Sequence, residues 1–314
     1  SYLNAGWNTV ADEDDPMSIP GEIGGYGDAL YGIGEPTGRS ALVGGFMRGV
    51  EAAHQRFGKL PWNSIFEPSI YFAEQGIPFG ESLNGYLEPR KNDLARLPAS
   101  KAVFSDADGD WLQPGDVLKQ PALAKTLRAM QTEGVDYMYT GPWAKKAVAA
   151  VQADGGKMTL EDLAKYEVIW GEPVSTEYQG YTVYANGLPS YGGVQMLEAL
   201  NLGESADILK LGHWSENAES FRRVSELLNN QSISGIQAFA PQMLEQLYPG
   251  LDFSAESRVT QAHADKLWAA MNSGRGLARW ADTGPKHSDT VVAIDRWGNM
   301  TAIVHSINLS LIHI

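Results

Sequence analysis

The segment from residue 286 to 308, KHSDTVVAIDRWGNMTAIVHSIN, restricts what this chain can fold into more than any other. The stretches TVVAID and MTAIVHSIN are rich in β-branched residues, which predicts two strands. Between them, Asp295, Gly298 and Asn299 are typical turn residues. The segment therefore predicts an antiparallel hairpin. We expect its first strand to be buried on both faces, because that strand is apolar almost throughout.

Three polar residues flank this hairpin. Ser288 stands just before the first strand, while Ser306 and Asn308 stand at the far end of the second strand. An antiparallel return brings the end of the second strand back beside the start of the first. The sequence therefore predicts two hydroxyls and one amide close together at one end of a sheet.

A serine at this place acts as a nucleophile only if a base takes its proton. His287 is adjacent, but neighbours on an extended chain point to opposite faces, and a G-x-S-x-G motif is absent from the chain. If the chain is cut before Ser288, the serine gains a free α-amine with a pKa of about 7.7–8.0, which can serve as the base. This is the logic of N-terminal nucleophile hydrolases. On composition and spacing alone, the simpler interpretation is favoured, in which Ser288 caps a turn and Ser306 is an ordinary strand residue.

The composition excludes several classes of protein. The formal net charge over 314 residues is −14, and the chain lacks the clusters of Lys and Arg that a phosphate-binding surface needs. The absence of cysteine excludes disulfides, thiolate metal sites and cysteine nucleophiles. Apolar runs are far shorter than a membrane span, and no signal peptide is visible, although the chain begins with Ser1 rather than Met. The motif DADGD suggests calcium, but the twelfth position counted from Asp106 is Val117, so we predict a solvated turn.

Helical spacing dominates the middle of the chain, and Gly58, Gly76, Gly134 and Gly155 follow the expected helices as stops. Residues 211–247 are also predicted to be mostly helical.

Two further local elements have clear signals. The stretch MTLEDLAKY predicts a short helix capped by Thr159, with Asp162 three residues further on. The stretch VSTEYQGYTVYANG alternates and turns at Gly180, which predicts a second hairpin. Helices in the middle and strands at the end favour an α+β or layered α/β fold over an all-helical one.

The last six residues, LSLIHI, form an apolar stub without a turn or a polar finish. One permitted codon choice spells CTG TCT CTT ATA CAC ATC, which is a transposon adaptor used in sequencing libraries. We therefore expect the natural sequence to stop at Asn308 and residues 309–314 to be an artefact, which makes the chain a fragment that is open at both ends. The alternative is a genuine C-terminal strand.

Five segments follow one another in a specific order and spacing: GRSALVGGFMRGVEAAHQRFGKLPW, PSIYFAEQGIPF, GDVLKQPALAKTLRAMQTEGVDYMYTGPWAKKAV, GGKMTLEDLAKYEV and LPSYGGVQMLEALNL. Together with VAIDRWGN, they resemble the γ-glutamyltransferase (γ-glutamyltranspeptidase) family from about Gly38 to Asn308. The resemblance implies an α+β fold, the four-layer αββα sandwich of N-terminal nucleophile hydrolases, incomplete at both ends. Residues 1–308 would be a single domain fragment, with 1–287 as a partial large-subunit region and 288–308 as the start of the small subunit.

The resemblance also assigns site residues. It implies self-cleavage between His287 and Ser288, with Ser288 as the catalytic nucleophile. Ser306 matches the family's second hydroxyl residue, which hydrogen-bonds the nucleophile, and Asn308 matches an asparagine that helps to hold the substrate. These assignments coincide with the hairpin argument, which does not depend on them.

The chain departs from the family pattern at the nucleophile. The family usually has Thr-Thr-His where this chain has Ser288, Asp289 and Thr290. Serine keeps the hydroxyl of the family's nucleophile. Asp289 adds a carboxylate beside it, which we expect to affect the acceptor and substrate preference. The arginine that grips the substrate α-carboxylate should lie before or near Ser1. The paired oxyanion-hole glycines and an acidic residue for the substrate amine should lie beyond Asn308.

The implied function is that of a self-cleaving proenzyme that hydrolyses or transfers γ-glutamyl groups of glutathione-like amides through an acyl-enzyme. It requires no metal and no cofactor. The expected partners are the amide substrate, water or an amine acceptor, and the two subunits paired after cleavage, with no nucleic acid. A related acylase for glutaryl or cephalosporin-type amides and a non-catalytic scaffold protein are the alternatives. The fragment itself is expected to be inactive, and a periplasmic or secreted location is favoured over the cytoplasm.

Overall fold

The computed structural model describes residues 1–6, 37–38, 41–188, 190–228, 233, 236–237, 241–273 and 289–305. The helices of this part are α1 (Phe46–Phe57), α2 (Glu67–Gln75), α3 (Glu81–Leu87), α4 (Lys91–Leu94), α5 (Pro98–Val103), α6 (Pro121–Glu133), α7 (Asp136–Tyr139), α8 (Pro142–Ala153), α9 (Leu160–Ala164), α10 (Tyr191–Ser205), α11 (Ala218–Leu228), α12 (Pro241–Leu247), α13 (Ala255–Arg258) and α14 (Gln261–Asn272). The strands are β1 (Tyr2–Asn4), β2 (Ile77–Pro78), β3 (Val117–Leu118), β4 (Ile169–Gly171), β5 (Val174–Tyr178), β6 (Tyr181–Ala185), β7 (Asp289–Ile294) and β8 (Met300–His305). Short 3₁₀ helices lie at Trp62–Phe66, Glu88–Arg90 and Ile208–Lys210. The chain therefore mixes helices and strands, as the sequence predicted.

The backbone divides into two compact units. Unit 1 comprises residues 1–4 and 169–282, and unit 2 comprises residues 5–168 and 283–314. The single domain expected for residues 1–308 stays a prediction. The artefact expected at residues 309–314 lies outside the described residues.

The described part of unit 2 contains three apolar clusters; one joins Phe79, Leu112 and Leu118, and the other two involve its longer helices. The larger cluster joins the loop before α1 to helices α7, α8 and α9, and its buried members are Ala41, Val43, Val135, Tyr139, Ala144, Val148, Val151, Met158, Leu163 and Tyr166. In the smaller cluster, Phe66 and Ile70 pack against Met130 of α6. Helix α6 ends at Glu133 because Gly134 adopts a φ of 83°, which confirms the predicted stop.

The predicted cap of α9 is confirmed. The Thr159 hydroxyl oxygen accepts a hydrogen bond from the backbone N–H of Asp162 at 3.2 Å. In return, the backbone N–H of Thr159 donates to the Asp162 carboxylate at 2.7 Å. This reciprocal pair satisfies two N–H groups that have no partner within the helix.

In unit 1, strands β5 and β6 form the second predicted hairpin, with Tyr178 paired to Tyr181 across a two-residue turn. Gln179 and Gly180 occupy the turn with φ values of 50° and 81°, the mirror-image geometry that matches strand twist. The Thr176 hydroxyl on β5 donates to the side-chain oxygen of Asn201 on α10 at 2.9 Å.

Helices α10 and α14 form the centre of unit 1. The cluster around them consists of Leu202, Ala206, Leu227, Ile233, Ile236, Leu244, Tyr248, Phe253, Ala264, Leu267, Trp268 and Met271. Beside it, Glu198 of α10 and Arg258 of α13 are fully buried and paired. The mostly helical character predicted for residues 211–247 is seen in α11 and α12.

Strands β7 and β8 form the terminal hairpin of unit 2. The prediction that β7 is buried on both faces is wrong: Val292 and Ile294 are each 70% exposed. Within the described residues these two strands pair only with each other. An apolar strand becomes buried only when neighbouring strands or a packed layer cover it.

Candidate active-site hairpin

The residues predicted to form the site lie immediately beside the described hairpin. His287, Ser288, Ser306 and Asn308 are outside the described residues. Strand β7 begins at Asp289, one residue after the predicted nucleophile, and β8 ends one residue before the predicted second hydroxyl. The described structure therefore covers the two strands that lie between the predicted site residues in the sequence.

The two strands run antiparallel in a continuous register. Asp289 pairs with His305 at one end and Ile294 pairs with Met300 at the other. The start of β7 and the end of β8 therefore lie together at the end of the hairpin that is remote from the turn. The predicted antiparallel return is confirmed for residues 289–305.

The turn is organised by Asp295. Its carboxylate accepts hydrogen bonds from the backbone N–H groups of Trp297 and Asn299, both at 2.9 Å, and from the Asn299 side chain at 2.8 Å. The side-chain hydrogen bond from Asn299, followed by those backbone donors, lowers the pKa of Asp295 below its ordinary value. Gly298 supplies a φ of 84°. The turn residues predicted from the sequence therefore lie where the hairpin reverses its direction.

The two faces of the hairpin differ in exposure. Val291 and Ile303 form a cross-strand pair and are 54% and 47% exposed. On the opposite face, Val292 and Val304 are 70% and 68% exposed. His305 belongs to the less exposed face, because side chains alternate along a strand.

A contact that the sequence analysis missed reaches this face. The ring of His305 meets the ring of Phe46, the first residue of α1, with centroids 5.3 Å apart and planes at 70°. The edge-to-face arrangement is one that aromatic pairs favour. No local pattern signals the contact, because the two residues stand at opposite ends of unit 2 in the sequence.

The described ranges contain no group of three or more His, Cys, Asp or Glu residues arranged to hold a metal ion. At the DADGD stretch, the Asp106 carboxylate accepts hydrogen bonds from the backbone N–H groups of Asp108 and Asp110, at 3.0 and 2.9 Å, as a turn does. None of the described helices is both long and apolar enough to cross a membrane.

The sequence of this chain is similar to those of known proteins. A family described as "Gamma-glutamyltranspeptidase" matches residues 17–311, which include the whole hairpin and both segments beside it. The chain is 35% identical over 179 residues to the glutathione hydrolase proenzyme of Pseudomonas aeruginosa, covering 57% of this chain and 31% of the relative. It is 30% identical over 274 residues to the acylase ACY 1 proenzyme of Pseudomonas sp. strain SE83, covering 86% of this chain and 47% of the relative. The chain thus spans less than half the length of these curated relatives.

The structure has neighbours with the same backbone arrangement. The crystal structure of the Helicobacter pylori gamma-glutamyltranspeptidase matches with a TM-score of 0.63 at 27% identity, covering 79% of this chain and 68% of that chain. The sequence matches and the structural match therefore indicate the same group of proteins.

Proposed function

The chain belongs to the gamma-glutamyltranspeptidase family, and from this premise we propose that the whole protein is a self-cleaving γ-glutamyl hydrolase or transferase. The proposed reaction moves a γ-glutamyl group from an amide such as glutathione to water or to an amine. The relatives that bear the name glutathione hydrolase proenzyme support both the self-cleavage and the substrate class.

The register of the terminal hairpin carries the assignment of residues. If the pairing of Asp289 with His305 continues by one residue, Ser288 stands opposite Ser306. Residues directly opposite each other have Cβ atoms about 4.5–5.5 Å apart, which is close enough for two hydroxyls to form a hydrogen bond. Asn308, two positions further on, then shares the face of Ser306. This supports Ser288 as nucleophile, Ser306 as its hydrogen-bond partner and Asn308 as a substrate contact.

The proposed chemistry uses the hydroxyl and the α-amine of Ser288, the amide substrate, and water or an acceptor amine. Hydrolysis of the amide between His287 and Ser288 leaves a carboxylate on His287 and a free α-amine on Ser288. That amine takes the hydroxyl proton while the Ser288 oxygen attacks the γ-carbonyl carbon. The carbon–nitrogen bond of the substrate then breaks, the leaving amine takes the proton, and an ester remains on Ser288. Water or an acceptor amine cleaves this ester and restores the hydroxyl.

The finer description of the fold is part of the same proposal. Family membership supports a four-layer αββα sandwich, with residues 1–287 in the large subunit and 288–308 opening the small subunit. The exposed apolar side chains of β7 and β8 agree with strands whose faces are covered by further layers in the whole protein. We also propose that the protein works in the periplasm or outside the cell.

A second candidate function is cleavage of another side-chain amide, such as a glutaryl or cephalosporin-type amide. The relative named an acylase matches 86% of this chain, about the same share as the 87% matched by the glutathione hydrolase proenzyme of Pseudomonas sp. strain A14, so relatives of both kinds match the chain to the same extent. Asp289, beside the proposed nucleophile, also differs from the usual family residue. A non-catalytic protein on this scaffold is a third candidate, and it predicts that the chain is never cut.

The deciding experiment expresses the full-length protein and follows its intact mass over time. We expect two chains, the smaller beginning at Ser288. Ser288→Ala should remain a single chain, whereas Ser288→Thr should still be cut, because threonine keeps a hydroxyl and gains the same α-amine. Ser273→Ala is the matched control, since that hydroxyl donates to the carbonyl of Ala270 at the end of α14.

Activity of the cut protein then separates the two enzymatic candidates. Hydrolysis of a γ-glutamyl anilide in preference to a glutaryl anilide supports the first candidate, and the reverse preference supports the second. A wild-type chain that stays uncut, or a Ser288→Ala chain that is still cut at the same bond, contradicts the proposal.

A further inference from the structure

The last described residue of the terminal hairpin rests against the first residue of α1. The edge-to-face contact between His305 and Phe46 joins the end of β8 to a helix, at a centroid distance of 5.3 Å. Ser306 is the next residue after His305 in the chain. The contact therefore lies one peptide away from a residue that the proposed function places beside the nucleophile.

A buried tyrosine holds the backbone on both sides of Phe46. The Tyr139 hydroxyl donates to the carbonyl oxygen of Gly44 at 2.8 Å and accepts from the backbone N–H of Arg48 at 3.4 Å. The Arg48 guanidinium lies over the Tyr139 ring, 4.5 Å from its centroid, and pairs with Asp136 at 2.6 Å. These contacts hold the start of α1 against α7.

A second tyrosine packs against the residue that precedes Phe46. A side chain at Gly45 would overlap the hydroxyl of Tyr166, so the two groups are in close approach. The Tyr166 hydroxyl donates to the carbonyl oxygen of Gly6 at 2.5 Å, and its ring lies 5.9 Å from that of Tyr139. Burial raises the pKa of both phenols to about 12, so both hydroxyls keep their protons further into the alkaline range than exposed phenols do.

The alternation of side chains determines which face Phe46 supports. His305 shares its face with Val291 and Ile303, the less exposed side of the hairpin. A side chain one residue further along a strand points to the opposite face. Phe46 therefore contacts the less exposed face of the hairpin, opposite to the face of Val292 and Val304.

We propose that Phe46 and His305 are positioning residues, which fix the nucleophile end of the hairpin from behind and so align Ser288 with Ser306. The inference rests on the proposed function of those two serines. Positioning matters for this chemistry, because attack on a carbonyl requires the reacting atoms to be held in a narrow range of geometry. Neither residue is expected to touch the substrate.

The test uses the full-length protein and measures the rate of self-cleavage by intact mass, then kcat and KM of the cut enzyme on a γ-glutamyl anilide. Phe46→Ala and His305→Ala should each lower the cleavage rate and kcat by about tenfold, with KM unchanged, because the loss is one of alignment rather than of substrate binding. Phe46→Tyr and His305→Phe keep an aromatic contact and should restore both rates to within about twofold of wild type. His305→Phe should also keep the wild-type pH profile, since the ring does not serve as a base.

A double variant tests whether the two residues act through one contact. Phe46→Ala combined with His305→Ala should lose about tenfold in total rather than about a hundredfold, because the second substitution removes a contact that is already lost. Phe57→Ala is the matched control. It removes an exposed phenylalanine from the other end of α1, about 16 Å away along the helix, and should leave the rates unchanged.

The outcomes separate this inference from the proposed function. If the wild type is cut and Ser288→Ala is not, while Phe46→Ala and His305→Ala behave as wild type, the positioning contact is overturned and the function stands. Multiplicative losses in the double variant, or no recovery in His305→Phe, also overturn it. A wild-type chain that is never cut overturns the inference and the proposed function together.

Discussion

Asp289 and His305 stand directly opposite each other on antiparallel strands, at the end of the terminal hairpin farthest from its turn. This pair sets the register for everything that follows in either direction. A slip of one residue would move every side chain of one strand to the other face of the sheet. The proposed partnership of Ser288 and Ser306 therefore depends on the Asp289–His305 pair.

The first prediction concerns Ser306. In the full-length protein, Ser306→Ala should lower kcat by about tenfold to a hundredfold with little change in KM, because it removes the proposed hydrogen bond to the proposed nucleophile. Ser306→Thr should retain activity within about threefold. Steady-state kinetics on a γ-glutamyl anilide measures both. Thr301→Ala, on the same strand but near the turn, is the control, and a Ser306→Ala enzyme as fast as this control would remove Ser306 from the mechanism.

The second prediction concerns the buried ion pair of unit 1. Arg258 donates to both carboxylate oxygens of Glu198, at 3.0 and 2.7 Å, and both side chains are fully buried. Arg258→Met removes the guanidinium from the buried Glu198 carboxylate, which keeps the contact with the His263 ring nitrogen at 3.2 Å, and should cost about 3–5 kcal/mol in the free energy of unfolding. Urea denaturation measures this change.

An exposed ion pair offers the matched control. Arg128 forms hydrogen bonds of 2.7 and 2.8 Å to the carboxylate of Glu74, but both side chains are substantially exposed. Arg128→Met should therefore cost no more than about 1 kcal/mol. Equal losses in the two arginine variants would show that burial does not govern the strength of the Arg258 pair.

The third prediction concerns the close approach before α1. Gly45→Ala places a methyl group against the Tyr166 hydroxyl and should destabilise the protein by about 1–3 kcal/mol. Gly85 lies within α3 with open space around it, so Gly85→Ala should be neutral or stabilise the protein by about 0.5–1 kcal/mol. Thermal and urea unfolding of the two variants measure the difference. A Gly45→Ala protein as stable as Gly85→Ala would show that Tyr166 moves aside freely.

The fourth prediction concerns alkaline pH. Burial raises the pKa of Tyr139 to about 12, from about 10 in an unfolded chain. The folded state holds the phenolic proton more tightly, so this contribution to stability is fully present below about pH 10 and is lost as the pH rises through about 12. Urea unfolding between about pH 9 and 12 should show a shallower decline for Tyr139→Phe than for wild type.

The same substitution has a second effect that serves as an internal check. At neutral pH, Tyr139→Phe should lower the free energy of unfolding by about 1 kcal/mol, because the hydrogen bond to Gly44 is lost. Tyr181→Phe, at an exposed strand position, should reproduce the wild-type stability and pH dependence. An alkaline decline in Tyr139→Phe as steep as in wild type would contradict the assigned role of burial.

The local elements of this fold could be predicted because each depends on a few neighbouring residues. The stop of α6 at Gly134, the cap at Thr159 and the turn at Gly180 all have the geometry expected of them. Left-handed backbone, a reciprocal cap and a two-residue turn are decided by the conformational preferences of adjacent residues. The same reasoning located the turn of the terminal hairpin.

Burial could not be predicted in the same way. The apolar run in β7 suggested a strand covered on both faces, yet Val292 and Ile294 are largely exposed in the described structure. An apolar run shows only which residues can be buried. Whether they are covered depends on strands and layers that pack against them, and the local sequence does not determine those contacts.

The sequence by itself determined the local structure, the antiparallel return of the terminal hairpin and the polar residues proposed to act at its end. Turn and strand preferences act over a few residues, so they can be predicted without knowing how the rest of the chain folds. Only the tertiary structure decided that Phe46 contacts His305 and that Arg258 is paired with Glu198, sixty residues away, out of reach of water. Such contacts arise because many weak apolar interactions pack distant segments together, and packing joins residues with no local pattern in common.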